Sequence, residues 1–357
     1  MKHTLFLVHG MGRHDADWWK KPWKQLCELS DTYKFFRNRQ LEDLVEPVGI
    51  TYDDELGKAL TRWATEGSKF ADFAAAQELR FADDGDWLRN LDDEEPGFEL
   101  SHVADVIIYR FFKLEAARIR DQVKLEIARK VRERKAEDAS ARFSILAHSL
   151  GTAVVHDALA EFGRMPRIDD HPNTFRAGQF SFRSLHMVAN VSRLAQTDPP
   201  VYDSIVRPGD RDSAVTYCLN YNNYRHELDP FLLVRPFRPV GFGPRFEDVS
   251  VKHVHDWNVH SFSHYLANPR VHVPILNAIT RSSAIRRSEF GQRVETTPRF
   301  AGEFQGVQDF RDEVAELARL AQLLDEEKPL ADNVDTFRKM WAVIGELKTI
   351  VTRELGR

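Results

Sequence analysis

The chain has 357 residues, which is enough for one large domain or two ordinary ones with a substantial core. Hydrophobic residues make up 42% and charged residues 29% of it, and its 18 glycines and 16 prolines exclude the collagen-like and low-complexity classes. The formal net charge is -5, so the chain as a whole does not attract a phosphate backbone, and we expect no nucleic-acid partner.

The cysteine count and the apolar runs bear on the compartment. Cys27 and Cys218 are too few for a disulfide framework or a cysteine-ligated zinc site, and they fit a reducing environment. The apolar run at the start is shorter than the core of a signal peptide, and no run approaches the roughly 18 apolar residues that a membrane span needs. The sequence therefore predicts a cytoplasmic protein without a transmembrane segment.

The chain begins with a strand, a loop and a helix. Residues 4–8 are apolar throughout, which predicts a buried strand, and they run into His9-Gly10-Met11-Gly12. Asp17 then precedes apolar residues spaced three and four apart, as in a capped helix. Residues 45–52 predict a second strand, and residues 55–140 are mostly helical in pattern. We interpret that long segment as a helical insertion.

Within the insertion, apolar residues recur every four positions while Lys and Arg occupy the remaining surface of residues 110–135. The simpler interpretation is a helix that docks on the sheet and exposes a basic, solvated face. A surface for an anionic membrane, with peripheral contact only, or for nucleic acid is the alternative.

The second half of the chain alternates further strands with helices. Residues 142–149 predict a buried strand that turns directly into a helix over residues 153–162. Further strand patterns follow at residues 184–190, 214–221 and 248–254, and a helical pattern follows at residues 270–279. This alternation predicts an α/β fold with a mostly parallel sheet and helices on both faces.

After about residue 300, two segments have apolar residues at helical spacing, which predicts a C-terminal helical hairpin. We therefore expect an α/β domain over residues 1–285 and a helical extension over residues 286–357. The extension either packs on that domain or mediates self-association into a homo-oligomer.

Two motifs carry the chemistry. Ala147-His148-Ser149-Leu150-Gly151 lies where a strand meets a helix, so Ser149 occupies a tight turn above the sheet. This resembles the nucleophile elbow of the α/β-hydrolase superfamily, with alanine in place of the first glycine of G-x-S-x-G. His9-Gly10-Met11-Gly12 follows the first strand, where that family places a loop of the oxyanion hole. Together the motifs look most like lipase and serine-esterase members.

The resemblance assigns roles to residues of both motifs. Ser149 is the expected nucleophile, and the amides of Met11 and Leu150 are the expected oxyanion donors. His9, Gly10 and Gly12 are expected to support the loop.

In this family the acid follows the penultimate core strand and the histidine follows the last one. We expect Asp229 to be the acid, with Glu227 as the alternative, both in an exposed turn after the strand at residues 214–221. We expect His264 to be the base, with His260 as its close competitor.

The implied function is hydrolysis of a carboxylic ester, on a small-molecule or lipid substrate, through an acyl-enzyme and without a metal or organic cofactor. Two alternatives stay open: an amidase or peptidase on the same triad, and a noncatalytic interaction or effector module. A zinc site is also conceivable, because His253 and His255 are two apart on a strand.

Overall fold

The computed structural model describes most of the chain, namely residues 2–58, 61–62, 65, 109–110, 113–164, 181–195, 206–209, 218–229, 231–232, 235–253, 258–280, 284–296, 307–324 and 330–354. The strands are β1 His3–Val8, β2 Val45–Ile50, β3 Phe143–His148, β4 Phe182–Val188, β5 Cys218–His226 and β6 Phe246–Val251. The helices are α1 Lys20–Asp31, α2 Leu41–Leu44, α3 Lys113–Glu137, α4 Leu150–Arg164, α5 Phe262–Ala267, α6 Pro269–Ile279, α7 Arg287–Thr296, α8 Val307–Gln322 and α9 Leu330–Glu354.

The strands form one open sheet in the order β2-β1-β3-β4-β5-β6, and all neighbouring strands are parallel. The predicted α/β fold with a parallel sheet is therefore confirmed. Val8 pairs with Ala147, and His148 pairs with Val188, so the carboxyl ends of these strands lie at one edge. Residues 66–108 of the predicted insertion lie outside the described residues, and its last part is α3.

The two faces of the sheet bury separate apolar clusters. Phe6 and Val8 of β1 pack in one cluster with residues of α3 and α4, whereas Leu5 and Leu7 pack in the other with residues of α1 and α6. Because successive side chains of a strand point to opposite faces, this division places helices on both sides of the sheet.

The C-terminal helices α8 and α9 pack against each other, and the buried apolar residues described in them include Leu317, Leu320, Met340 and Leu347. Leu317 and Leu320 of α8 and Met340 of α9 are continuous with the cluster that contains α4. A guanidinium nitrogen of Arg235 also donates to the carbonyl of Ala321. The boundary at residue 285 and the self-association of this hairpin stay predictions. None of the described helices is long and apolar enough to cross a bilayer.

Strand β5 extends beyond its predicted end, and residues 214–217 of the prediction lie outside the described residues. The sequence predicted residues 214–221, whereas the strand runs from Cys218 to His226 and ends five residues later. The sequence interpretation ended the strand too early because asparagines are typical of turns. In the sheet, however, Asn220 donates to the carbonyl of Arg183, and Asn223 donates to Asp248 of β6.

The strand order reverses direction between β1 and β3. The chain leaves β1 for β2 on one side, and it later continues from β3 through β6 on the other. In open parallel sheets, ligands bind in the crevice outside the carboxyl ends of the strands at such a switch point. This crevice is where the His9–Gly12 loop and Ser149 emerge.

A histidine in the centre of the sheet makes stability depend on pH. His186 of β4 is fully buried, and burial, with a smaller contribution from His3, lowers its pKa to about 3. The unfolded chain takes up this proton below about pH 6.5, while the folded chain stays neutral there. The free energy of unfolding therefore falls as pH drops from 6.5 towards 3.

Replacing His186 with glutamine removes this titration. Compared with wild type, we expect the slope of unfolding free energy against pH to be smaller by about 1.4 kcal/mol per pH unit between about pH 5.5 and 4.5. Urea unfolding at several pH values measures the slope. Equal slopes in the two proteins would mean that folded His186 is already protonated.

Candidate active site

Ser149 lies in a strained turn between β3 and α4. Its φ of 51° is in the left-handed region, which non-glycine residues avoid at a cost of about 1–3 kcal/mol. The turn is fixed on both sides: the Ser149 amide donates to the carbonyl of Val188 at 2.9 Å, and the Thr152 hydroxyl donates to the carbonyl of Ser149 at 2.6 Å. The sharp turn directs the hydroxyl away from the sheet.

Small residues around Ser149 allow the two motifs to touch. A Cβ on Gly151 would lie 2.2 Å from the carbonyl oxygen of His9, and one on Gly10 would lie 2.7 Å from the Cβ of Ser149. Ala147, at the position of the family's first glycine, is fully buried in the core. The HGMG loop thus runs directly over the start of α4.

This contact predicts a large effect of one methyl group. Gly151→Ala puts a Cβ against backbone that cannot move aside, and we expect a loss of about 2–3 kcal/mol in unfolding free energy. Gly345→Ala is the matched control, since its Cβ would meet nothing within 4 Å on helix α9, and alanine there is expected to stabilise by up to about 1 kcal/mol. Denaturant unfolding measures both. Equal stability of the two variants would contradict the close approach.

Three side chains from distant parts of the chain form a continuous hydrogen-bonded chain. The hydroxyl of Ser149 lies 2.8 Å from Nε2 of His260, and Nδ1 of His260 lies 2.8 Å from Oδ2 of Asp229. The Asp229 carboxylate accepts from Nδ1–H, which leaves Nε2 as the acceptor for the serine proton. This arrangement can withdraw a proton from Ser149.

The structure distinguishes the two candidate bases by their contacts with Ser149. His264 lies inside helix α5, which begins at Phe262, and its Nε2 donates to the carbonyl of His253 at 2.9 Å. The cap of that helix is Ser261, whose side chain accepts from the His264 amide. His260 therefore lies in the turn just before the helix, where its ring reaches Ser149. The geometry favours the competitor, His260, over His264.

Asp229, the expected acid, is the carboxylate that pairs with His260, and it is buried rather than in the exposed turn expected from the sequence. Its carboxylate also accepts from the amide of Phe231 at 3.2 Å and from the hydroxyl of Tyr265 at 2.9 Å. Burial alone would raise the pKa of Asp229, but the His260 imidazole and the hydrogen bonds from His260 and Tyr265 outweigh burial and hold the pKa below its usual value. The alternative acid, Glu227, instead binds Ser250 and Lys252.

Tyr52, which follows β2, stabilises the loop after β1. The hydroxyl of Tyr52 donates to the carbonyls of His9 and Gly10, at 2.8 and 3.1 Å. Nδ1 of His9 donates to the carbonyl of Gly10, while its Nε2 accepts from the Tyr52 amide. Burial and the nearby His14 lower the pKa of His9, so the ring is neutral. His9 thus contacts the loop backbone and not the Ser149 hydroxyl.

The two expected oxyanion donors belong to the two segments that meet at Ser149, since Gly10 of the loop approaches Ser149 and Leu150 follows it. Met11 is buried in the loop that passes over Ser149, and its neighbour Gly12 has a φ of 99° that favours glycine. Leu150 is the first residue of α4, so its amide is one of those without a partner inside the helix. Their donation to an oxyanion remains a prediction.

His148, within the elbow motif, has a structural role that the sequence did not reveal. Its Nε2 donates to the carbonyl of His260 at 2.8 Å, and its ring stacks on Phe262. Burial, with a smaller effect of the His260 charge, lowers the pKa of His148 to about 3, so it is a neutral donor. Tyr52 and Tyr265 were also missed. Only the position of Tyr52 at the end of a predicted strand offered a signal.

Three buried histidines cluster behind Asp229. Ring nitrogens of His226, His253 and His264 lie within 4.8 Å of one another, which makes them the candidate metal ligands among the described residues. However, Nε2 of His226 and Nε2 of His264 both point at the carbonyl oxygen of His253, at 2.8 and 2.9 Å. A metal on those nitrogens would collide with that carbonyl, so we interpret the group as a hydrogen-bonded cluster. His255 of the zinc hypothesis lies outside the described residues.

In comparisons with known proteins, no protein-family model, curated protein or solved structure matches the chain.

Proposed function

We propose that the protein is a serine hydrolase that cleaves carboxylic esters through a Ser149-His260-Asp229 triad and an acyl-enzyme. One observation carries the proposal: the two successive 2.8 Å contacts from Ser149 through His260 to buried Asp229, on a strained turn at the switch point of a parallel sheet. Nucleophile, base and orienting acid within hydrogen-bond reach are the signature of nucleophilic catalysis.

In the proposed reaction, Nε2 of His260 takes the Ser149 proton as the oxygen attacks the ester carbonyl. Asp229 holds the ring orientation and stabilises the imidazolium. The amides of Met11 and Leu150 stabilise the oxyanion of the tetrahedral intermediate. The imidazolium then protonates the leaving alcohol, and water, activated by the same ring, releases the acid and restores Ser149.

The order of the triad supports membership of the α/β-hydrolase superfamily. Asp229 follows β5, the penultimate strand, and His260 follows β6, the last one. Both positions agree with the order that the family requires.

Apolar groups near the triad favour an apolar acyl group. The Phe231 ring centroid lies 4.5 Å from that of His260, and Met11 lies in the loop opposite. An ester of a lipid or of a small molecule with an alkyl chain suits such surroundings better than a charged substrate.

A fluorophosphonate probe tests the proposal, because it phosphonylates only an activated serine. We expect labelling of the folded protein at Ser149, located by peptide mass spectrometry, and turnover of p-nitrophenyl esters. Faster cleavage of peptide amides than of matched esters would favour an amidase or peptidase. No labelling, under conditions that label a known serine hydrolase, would favour a noncatalytic module and overturn the proposal.

A further inference from the structure

Tyr265 lies directly behind the candidate acid and is fully buried in helix α5. Its phenol oxygen is 2.8 Å from the amide nitrogen of His226 and 2.9 Å from Oδ2 of Asp229. A backbone amide can only donate, so the phenol oxygen accepts from His226. The phenol proton is therefore directed at Asp229.

The same carboxylate oxygen receives Nδ1–H of His260, so the phenol and the imidazole share one acceptor atom. The Phe231 amide donates to the other oxygen, Oδ1. These donors fix the plane of the carboxylate from two sides. Because Asp229 and Tyr265 have no solvent exposure, bulk water does not reach this contact.

The histidine cluster behind Asp229 braces the helix that carries Tyr265. His264, the neighbour of Tyr265 on α5, donates to the carbonyl of His253, and His226 at the end of β5 donates to that same carbonyl. The side-chain amide of Asn268, at the end of α5, lies 2.7 Å from Nδ1 of His253. Strand β5, helix α5 and the segment after β6 are thus joined around one carbonyl group.

We propose that Tyr265 is a positioning residue for the catalytic acid: its phenol proton orients the Asp229 carboxylate towards His260 and limits how strongly that carboxylate attracts the proton on Nδ1. This inference rests on the proposed hydrolase function. Tyr265 contacts neither Ser149 nor substrate in this role, since it acts only through Asp229.

Removing the phenol oxygen has a consequence for pH dependence. Without the Tyr265 donor, Asp229 becomes a stronger base and stabilises the His260 imidazolium more, so the acidic limb of the activity profile moves to higher pH. The charged and titratable groups around this contact are Asp229, His260, His148, His226, His253, His264 and Arg225. Because they are unchanged in Tyr265→Phe, a difference between the two profiles reports the phenol.

The test compares wild type, Tyr265→Phe and Tyr33→Phe in ester hydrolysis across pH. Tyr33 is the matched control, since it is equally buried on the same face of the sheet, and its hydroxyl pairs with His272 at 2.6 Å, away from the triad. For Tyr265→Phe we expect about a 10-fold lower kcat, an unchanged KM and an acidic limb of the kcat/KM profile moved to higher pH. Tyr33→Phe keeps the wild-type kcat and profile.

A second variant covers the case in which Tyr265→Phe does not fold. Incorporation of 3-fluorotyrosine at position 265 keeps the shape and makes the phenol a stronger donor, so the acidic limb is expected to move to lower pH. If the acidic limb of the kcat/KM profile did not move in the folded variants, the inference would be overturned. An active wild type would still support the hydrolase function. A wild-type chain that neither hydrolyses esters nor reacts with the fluorophosphonate would instead overturn the proposed function, and with it the inference.

Discussion

Replacing Ser149 with alanine is expected to lower kcat for ester hydrolysis by about 10⁴-fold or more, because the variant has no nucleophile to form the acyl-enzyme. The hydroxyl donates to His260, and its removal leaves the backbone contacts of the turn in place. Initial rates with p-nitrophenyl esters measure the effect, and fluorophosphonate labelling of Ser149 should disappear with them.

Ser140→Ala is the matched control, since Ser140 lies just before β3 and bonds only to the exposed Asp138 among the contacts described for it. It should keep the wild-type rate and the label. If Ser149→Ala hydrolysed esters as fast as wild type, the catalytic assignment of the elbow would be wrong.

The second large effect separates the two candidate bases. His260→Gln should lower kcat by about 10⁴-fold or more, because an amide cannot accept the Ser149 proton. His264→Gln should keep most of the wild-type activity, because glutamine can still donate to the carbonyl of His253. Both substitutions keep a side chain of similar size, and kcat corrected for the folded fraction is the measurement.

The opposite ranking of these two variants, with His264→Gln inactive and His260→Gln active, would show that the described turn differs from the catalytic arrangement. Wild-type activity in both variants would remove His260 and His264 from the mechanism. Circular dichroism of each variant establishes that the comparison is made on folded protein.

Much of the fold could be predicted from the sequence because buried parallel strands are short apolar runs, whereas amphipathic helices have apolar residues three and four apart. The apolar run at residues 4–8 predicted β1, and residues 142–149 predicted β3 with the helix that follows it. The end of strand β5 was placed too early because its asparagines resemble turn residues. Their bonds to neighbouring strands exist only within the assembled sheet.

The sequence by itself determined the positions of the elbow and the loop, since Ser149 with Gly151 and the glycines of the HGMG segment are local patterns. It also placed Asp229 and the later histidines in the required order along the chain. Only the tertiary structure distinguished His260 from His264 and revealed the Tyr265 contact. The reason is physical: where α5 begins decides which ring faces Ser149, and the partners of Asp229 come from segments that are neighbours only after folding.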